Sequence, residues 1–210
     1  HRAQVFADTM NALGREAGRD IVCLLTDMEQ PLGDAVGNSL EIVEALDTVR
    51  GRGPADFTEL VLDACGKLLA FSDLGIDEAE GRRRAEAAAA DGSAEKAWRR
   101  WIEAQGGTTD ESALPVAPVV REVAAPRDGY VQELIAIDVG VAAVHLGAGR
   151  RTKEDAVDHA VGIVCRAKRG AEVRAGDALA EVHARTDGAA TAAVSEVLAA
   201  YRIGDDAPEE

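Results

Sequence analysis

The residues best suited to chemistry lie in a turn and in the helix that follows it. Pro31 and Gly33 predict a tight, irregular turn, in which backbone carbonyls lack ladder partners. The oxygens of Leu32 and Ala35 can therefore point towards one position, to which Glu44, about two helical turns further on, can bring a carboxylate. Several oxygens around one position suit a hard cation, such as potassium, sodium or calcium, better than a soft metal. From the residue types alone, a capped helix with Glu44 on its surface is the stronger interpretation.

Other residues are weaker candidates. Residues 147–151, Gly-Ala-Gly-Arg-Arg, combine positive charge with glycines that permit close backbone approach, but they lack the spacing and the Lys-Ser or Lys-Thr ending of a phosphate loop. Direct phosphate binding and a plain surface turn both stay open for this segment. Asp27 follows an apolar run, where α/β sheets place ligands, but turn capping explains it as well. His145, His159 and His183 are too scattered for a zinc or nucleophile set, so we expect packed or surface histidines.

The composition limits the class of protein. The 210 residues are 47% hydrophobic, which is ordinary for a chain with a folded core. A net charge of -15 and few aromatic residues (two Trp, two Tyr and three Phe) argue against a nucleic-acid partner. No apolar run approaches the ~20 residues of a membrane helix and no signal peptide is recognisable, so we expect no membrane partner.

The cysteines favour a reducing compartment. Cys23, Cys65 and Cys165 are odd in number, lie among apolar neighbours and match no zinc or redox spacing. We therefore expect buried, reduced thiols and a cytoplasmic protein. The chain begins with His1 inside an amphipathic pattern, so we also expect it to be part of a longer protein.

Helical periodicity dominates the first half of the chain. It predicts helices at 2–18, 38–49 and 56–71, and two more within 77–105 that are separated near 91–92. Asn38 or Ser39 is expected to cap the second helix. Residues 21–25 form an apolar run without alternation, which is typical of a strand buried on both faces of a parallel sheet. Because no neighbouring strands are evident, we expect an exposed apolar edge and a tendency to self-associate.

The periodicity changes in the second half. After a segment rich in Gly, Thr and Pro, the β-prone runs are 119–125, 129–137, 157–165 and 172–182, with helices predicted at 138–147 and 188–201. The predicted fold class is α/β in two parts. A helix-rich domain spans 1–107, a linker spans 108–117, and an α+β lobe spans 118–210.

One string carries a family resemblance. Residues 26–46, TDMEQPLGDAVGNSLEIVEAL, resemble the signature of the pyrimidine nucleoside phosphorylases, the thymidine phosphorylase family, in which an [ST]-D-M-x-Q-P-L-G turn precedes V-G-N-A-L-E-V-x-E-A. The similarity continues through 51–56, 104–107, 147–151 and 183–184. It therefore extends over essentially the whole chain.

The resemblance implies a fold and a cation site. It makes residues 1–107 the remainder of a glycosyltransferase-type α/β domain, and residues 118–210 an α+β lobe with a barrel-sandwich or hammerhead-like sheet. In the similar bacterial enzymes, the carbonyl oxygens at Leu32 and Ala35 and the carboxylate at Glu44 hold a potassium ion, whose other ligands come from a phosphate loop. These three residues are therefore the expected ligands of potassium or another hard cation.

The resemblance also implies a reaction. The family catalyses reversible phosphorolysis, in which phosphate, the co-substrate, attacks C1' of thymidine or uridine while the pyrimidine base departs. The family's phosphate- and base-binding groups lie upstream of the first residue here, so we assign no catalytic residue and expect the chain alone to be inactive. The intact enzyme is expected to be a homodimer. For residues 147–151 the family favours a mobile loop that helps the domains close.

Two other functions compete with this interpretation. Residues 126–131 and 168–177 resemble the hairpins of lipoyl and biotinyl domains, but no lysine lies between two small or methionine residues for attachment. An anthranilate phosphoribosyltransferase relative is expected to share the upstream lobe. That family is not expected to contain the β-rich part that begins at Val119.

Overall fold

The computed structural model describes residues 2–208 of the chain. The first half is mainly helical, with α1 (Arg2–Glu16), α2 (Asn38–Val49), α3 (Ala55–Ala70), α4 (Glu78–Ala90) and α5 (Ser93–Ala104). A two-residue strand, β1 (Ala35–Val36), precedes α2. The five predicted helices are confirmed. Among the described residues, none of the helices combines the length and the apolar character needed to cross a membrane.

Local sequence explains how the helices α3 to α5 are arranged. The Asp77 carboxylate accepts a hydrogen bond from the Glu80 N–H and so caps α4. Gly92, at φ 76°, allows the left-handed turn that separates α4 from α5. Helices α3 and α4 approach closely through two glycines, since a Cβ on Gly81 would lie 2.7 Å from the Gly66 carbonyl oxygen.

The predicted caps of α2 are wrong. Gly37 is the N-cap residue and makes no side-chain cap hydrogen bond, so neither Asn38 nor Ser39 has the predicted role. The Gly37 N–H donates to Glu41 Oε1 at 2.8 Å, while the Asn38 amide donates to the Ala148 carbonyl at 2.8 Å. The start of α2 is therefore held partly by the second half of the chain.

The predicted buried strand at 21–25 is also wrong. The segment belongs to no strand of the described sheets, because no neighbour supplies the ladder of hydrogen bonds that a strand requires. Its apolar side chains are exposed rather than buried, with Val22 46% and Leu25 53% exposed. This exposure agrees with the expected apolar edge, and the expected self-association stays a prediction.

The second half forms two antiparallel sheets. The first has the strand order β1-β4-β6-β2, with β2 (Val119–Ala124), β4 (Gly162–Cys165) and β6 (Ala178–Ala184). The second has the order β5-β3-β7, with β3 (Gly129–Leu134), β5 (Glu172–Val173) and β7 (Tyr201–Gly204). Helices α6 (Ala136–Leu146) and α7 (Asp187–Ala199) complete this half, and a short 3-10 turn, Glu111–Ala113, lies in the predicted linker. The mixed α/β fold class is confirmed.

Several strand boundaries differ from the prediction. The run 157–165 is a strand only at its end, in β4, and the run 172–182 is divided into β5 and β6 by a turn at Gly176 with φ 93°. Strand β7 lies partly within and partly beyond the predicted final helix. It forms because it pairs with β3, which places Tyr201 opposite Leu134, a non-local contact that local periodicity does not reveal.

Strand β1 joins the first half of the chain to the first sheet. Ala35 lies opposite Val164 and Val36 lies opposite Ile163. The approach is close, since a Cβ on Gly162 would lie 2.5 Å from the Val36 carbonyl oxygen. The turn that precedes β1 is consequently anchored to the sheet.

The core lies between the two sheets and helices α6 and α7. Its fully buried members include Val123, Val131, Leu134, Val139, Ile163, Leu179, Val182 and Val197. The Tyr201 hydroxyl lies 2.8 Å from the Leu179 carbonyl oxygen and 3.1 Å from that of Ala167. This buried hydroxyl can therefore donate a hydrogen bond to a backbone carbonyl. Burial raises the pKa of Tyr201.

Two isoleucines of the second half provide a matched test of this core. Ile163 is fully buried, whereas Ile137, in α6, is 70% exposed. We expect Ile163→Ala to lower the free energy of unfolding by about 2–5 kcal/mol, because it removes buried methyl groups and leaves a cavity. Ile137→Ala should change it by less than about 0.5 kcal/mol. Urea unfolding followed by circular dichroism measures both, and equal losses would contradict the described core.

Candidate cation site

A carboxylate lies directly beneath the predicted turn. Glu44, from α2, accepts hydrogen bonds at Oε2 from the N–H groups of Asp34 (2.7 Å) and Ala35 (2.9 Å). Gly33, at φ 68°, makes room for it, since a Cβ at Gly33 would lie 2.2 Å from Glu44 Oε1. Glycine therefore serves both the left-handed backbone and the close approach of the carboxylate.

The pairing of β1 with β4 indicates the direction of the Ala35 carbonyl. The Asp34 carbonyl accepts from the Cys165 N–H at 2.7 Å, and Ala35 is the next residue in the ladder, opposite Val164. In an antiparallel ladder, alternate residues turn both their N–H and C=O away from the partner strand. The Ala35 N–H does turn away, towards Glu44. Its carbonyl therefore also faces away from β4.

The three residues predicted as cation ligands lie around one cavity. Leu32, Ala35 and Glu44 all line a cavity of about 910 Å³, whose lining also includes Asn38, Ser39, Glu41, Ile42, Phe57 and His159. The carbonyl and carboxylate oxygens of these three residues have the chemistry that a hard cation prefers. Gly33 leaves room for the Glu44 carboxylate, and the Ala35 carbonyl faces away from β4.

Lys168 makes the contact that the sequence did not reveal. Its ammonium lies 2.5 Å from the Pro31 carbonyl oxygen, contacts the Gly33 carbonyl oxygen, and lies 3.1 Å from Asp56 Oδ2. The Gly33 N–H also donates to Asp56 Oδ2, at 3.3 Å. No local signal identifies this lysine, because it is 137 residues from Pro31 in the sequence.

Three carboxyl groups share this region, and their pKa values move in different directions. Burial raises the pKa of Asp34, against the opposing charge of Lys168. Burial also raises the pKa of Glu44, although the N–H groups of Asp34 and Ala35 oppose the shift. Burial acts in the same direction on Asp56, but the hydrogen bond and charge of Lys168, with two backbone N–H groups, outweigh it and lower its pKa.

Metal sites of another kind are not evident. Within residues 2–208, no group of three or more His, Cys, Asp and Glu side chains could hold a metal ion. Any ion at the turn would therefore depend on backbone oxygens as well as Glu44. His145 pairs with Glu196 at 2.8 Å, and half-buried His183 lies 3.8 Å from Glu181. His145 and His183 are packed or surface groups in separate environments, and His159 lines the cavity.

The remaining candidates have structural contacts. Asp27 Oδ1 accepts from the Glu29 N–H at 2.9 Å, which is a turn cap. In the segment 147–151, Gly147 ends α6 at φ 106°, and the Arg151 N–H donates to Asp155 at 3.0 Å. These contacts describe an ordered turn, and they leave its role in phosphate binding or domain closure as a prediction.

The cysteines are all free, but they are not equally buried. Cys165 is buried, and burial raises its pKa to about 11. Cys23 and Cys65 are only half-buried, because each lies in the first half of the chain, outside the main core. The expectation of buried thiols is therefore confirmed for Cys165 alone.

Gly33 and Gly51 give a matched test of the carboxylate gap. Both have left-handed backbones, at φ 68° and 73°, but only Gly33 has atoms close to its missing Cβ. Gly51→Ala should cost about 1–2 kcal/mol of stability for the strained backbone alone. Gly33→Ala should cost about 2–4 kcal/mol, because the Glu44 carboxylate must also move. Equal losses in urea unfolding would show that the carboxylate does not occupy this gap.

The opposite pKa shifts predict opposite pH dependences. Because the folded pKa of Asp56 lies below its ordinary value of 3.8, its contribution to stability is present above pH 3.8 and is lost as pH falls further. The stability difference between the wild type and Asp56→Asn should therefore shrink as pH falls. The folded pKa of Glu44 is raised, so the difference between the wild type and Glu44→Gln should instead grow as pH falls. Urea unfolding from pH 7 to 3 measures both differences in the free energy of unfolding. If both differences change in the same direction with pH, the opposite pKa shifts of Asp56 and Glu44 are contradicted.

Comparison with known proteins places the chain in a family. A model of the pyrimidine nucleoside phosphorylase C-terminal domain matches residues 130–204. The chain is 41% identical over 189 residues to the pyrimidine-nucleoside phosphorylase of Geobacillus stearothermophilus, covering 88% of this chain and 44% of the relative. It is 39% identical over 189 residues to that of Staphylococcus haemolyticus (strain JCSC1435), with the same coverage. Against that of Staphylococcus aureus (strain USA300) it is 41% identical over 187 residues, covering 86% of this chain and 43% of the relative.

The chain thus spans less than half the length of the curated relatives that it matches. The similarity nevertheless extends over most of this chain, including both its helical and its β-rich half. The chain belongs to the pyrimidine nucleoside phosphorylase family and corresponds to the C-terminal part of its members.

Proposed function

We propose that this chain is the C-terminal part of an enzyme that catalyses the reversible phosphorolysis of pyrimidine nucleosides, with thymidine and uridine as substrates. The observation that carries the proposal is the 41% identity, over 88% of the chain, to a protein named pyrimidine-nucleoside phosphorylase. In the reaction, phosphate attacks the sugar C1' and the pyrimidine base leaves, which gives the free base and ribose or deoxyribose 1-phosphate. This is a reaction of pyrimidine salvage.

The contribution of this chain is a cation site. Leu32 and Ala35 offer carbonyl oxygens and Glu44 offers a carboxylate around one cavity, and the hard-oxygen chemistry suits potassium. When bound, potassium supplies a fixed positive charge in a region where Asp34 and Glu44 are both acidic. Glu44 also holds the turn through the N–H groups of Asp34 and Ala35, so it orders the other two ligands even without the ion.

The rest of the chemistry is assigned to the remainder of the enzyme. We assign no phosphate- or base-binding residue within this chain, so the chain alone is inactive in this proposal. The three free cysteines suit a reducing compartment, which supports a cytoplasmic enzyme. The intact enzyme is proposed to be a homodimer, on the family resemblance, and residues 147–151 to help its domains close.

The lipoyl-like and biotinyl-like alternative gains no support from the geometry. Lys168, at the start of the hairpin 168–177, is held by two carbonyl oxygens and Asp56 rather than presented for attachment. No contact in the described residues favours a carrier function over phosphorolysis.

A chimera tests the proposed activity. The matched region of the Geobacillus stearothermophilus relative is replaced by this chain, and release of thymine from thymidine and of uracil from uridine is measured with and without phosphate. We expect phosphate-dependent release by the chimera and none by this chain alone. A folded chimera, shown by a cooperative melt, that releases no base from either nucleoside would overturn the proposal, as would release by the chain alone.

Two carboxylates of α2 test the cation site within the chimera. Glu44→Gln removes the charged ligand and is expected to raise the potassium concentration for half-maximal activity about tenfold. Glu41→Gln is the matched control, because Glu41 lines the same cavity and also accepts a backbone N–H, from Gly37 at 2.8 Å. If both variants respond to potassium as the unmodified chimera does, Glu44 is not a ligand.

A further inference from the structure

We propose that Lys168 is a positioning residue for the cation site. Its ammonium holds the carbonyls of Pro31 and Gly33 and thereby restrains the peptide unit between them, from which Leu32 presents its carbonyl oxygen. The inference rests on the cation site of the proposed function. It adds a residue from the second half of the chain that touches none of the proposed ligands directly.

The contacts of Lys168 use its whole hydrogen-bonding capacity. A lysine ammonium has three donors and no acceptor. Here three oxygens surround it: the carbonyls of Pro31 and Gly33, and Oδ2 of Asp56. Its side chain is only 21% exposed. Charge-assisted hydrogen bonds of this kind are stronger than neutral ones, so the ammonium restrains both carbonyls at once.

The two carbonyls that Lys168 restrains lie on either side of the Leu32 carbonyl. Pro31 and Gly33 lie on either side of Leu32, so fixing their peptide groups limits the rotation of the Leu32 carbonyl between them. Gly33 has no side chain to restrict its own backbone. The hydrogen bond from Lys168 therefore restricts this residue more than its own local geometry does. The ammonium takes the Pro31 and Gly33 oxygens, which leaves those of Leu32 and Ala35 for a second cation.

Neighbouring contacts align the rest of the turn with the same segment of the second half. The Asp34 carbonyl accepts from the Cys165 N–H at 2.7 Å, and Gln30 Oε1 accepts from the Arg169 N–H at 3.1 Å. Residues 165–169 therefore run beside residues 30–34, and Lys168 is the charged contact in the middle. The conformation of the turn is therefore held by its contacts with residues 165–169.

The sign of the charge effect separates positioning from simple electrostatics. Lys168 is positive and lies close to the proposed cation position, so removing its charge should strengthen cation binding if charge alone matters. A clamp predicts the reverse, because the Leu32 carbonyl would lose its alignment with the Ala35 carbonyl. The two interpretations thus differ in direction and not merely in size.

The experiment measures binding of thallium(I), a spectroscopic substitute for potassium, by 205Tl NMR, which also reports the oxygen environment of the bound ion. It uses the chimera described above, here called the wild type, because the other expected ligands lie in the part of the enzyme that precedes this chain. Lys168→Met is expected to weaken binding about tenfold and to shift the bound resonance. Lys168→Arg keeps the charge, but its planar guanidinium cannot reproduce three diverging donors, so we expect binding to weaken about threefold. Circular dichroism and thermal melting confirm that each variant is folded.

Arg166→Met is the matched control. Arg166 is a neighbouring positive side chain that pairs with Glu181 at 2.8 Å and contacts no carbonyl of the turn. Its removal should leave thallium binding unchanged or make it tighter. A variant that only loosens the lobe would lower the melting temperature without moving the bound resonance.

The outcomes separate the inference from the proposed function. If the wild type binds no thallium, or if Glu44→Gln binds it equally well, the cation site itself fails. If the wild type binds and folded Lys168→Met binds as tightly or more tightly, the site stands and the positioning role of Lys168 is wrong. Should Lys168→Met fail to fold, unchanged binding by Lys168→Arg overturns the inference instead.

Discussion

The carboxylate of Glu44 determines the shape of the turn before β1. Two consecutive backbone N–H groups, of Asp34 and Ala35, would otherwise lack partners at the point where the chain enters the sheet, and both donate to it. For these bonds to form, the residue before them must have no side chain, which is why Gly33 is required. The N–H groups thus turn inward to the carboxylate, and the carbonyl groups are left to face other partners. The Asp34 carbonyl accepts from the Cys165 N–H and the Gly33 carbonyl contacts Lys168.

This arrangement carries an electrostatic imbalance. Asp34, Glu44 and Asp56 place three carboxylates near the ammonium of Lys168, while Arg166 pairs with Glu181 and also favours the charged form of Asp34. Lys168 satisfies Asp56 and lowers its pKa, whereas Asp34 and Glu44 keep raised pKa values because burial disfavours their charged forms. A second cation on the cavity side would relieve this imbalance.

The sequence predicted the helical elements better than the sheets. Helical spacing and the break at Asp91–Gly92 identify α1 to α5 because the information is local. The strand expected at 21–25 failed because an apolar run does not specify whether a neighbouring strand exists. Strand β7 was missed for the opposite reason, since it depends on its pairing with β3.

The same distinction applies to the site. Leu32, Ala35 and Glu44 could be proposed as ligands because they lie close together in the sequence and within a recognisable family string, and the structure places them around one cavity. Lys168 and the Cys165 N–H act on that turn from far along the chain, so no spacing rule reveals them. Sequence reasoning located the proposed ligands and missed what holds them in place.

The distribution of burial shows which half of the chain provides that support. The main core contains residues from Val123 to Tyr201, all in the second half. By contrast, α1 buries only Ala7 and Gly14, and the segment at 21–25 exposes its apolar side chains. All three proposed ligands belong to the first half, yet β1 and the turn are fixed by strand β4 and by Lys168. The second half of the chain, which contributes none of the proposed ligands, is therefore the part on which the geometry of the turn depends.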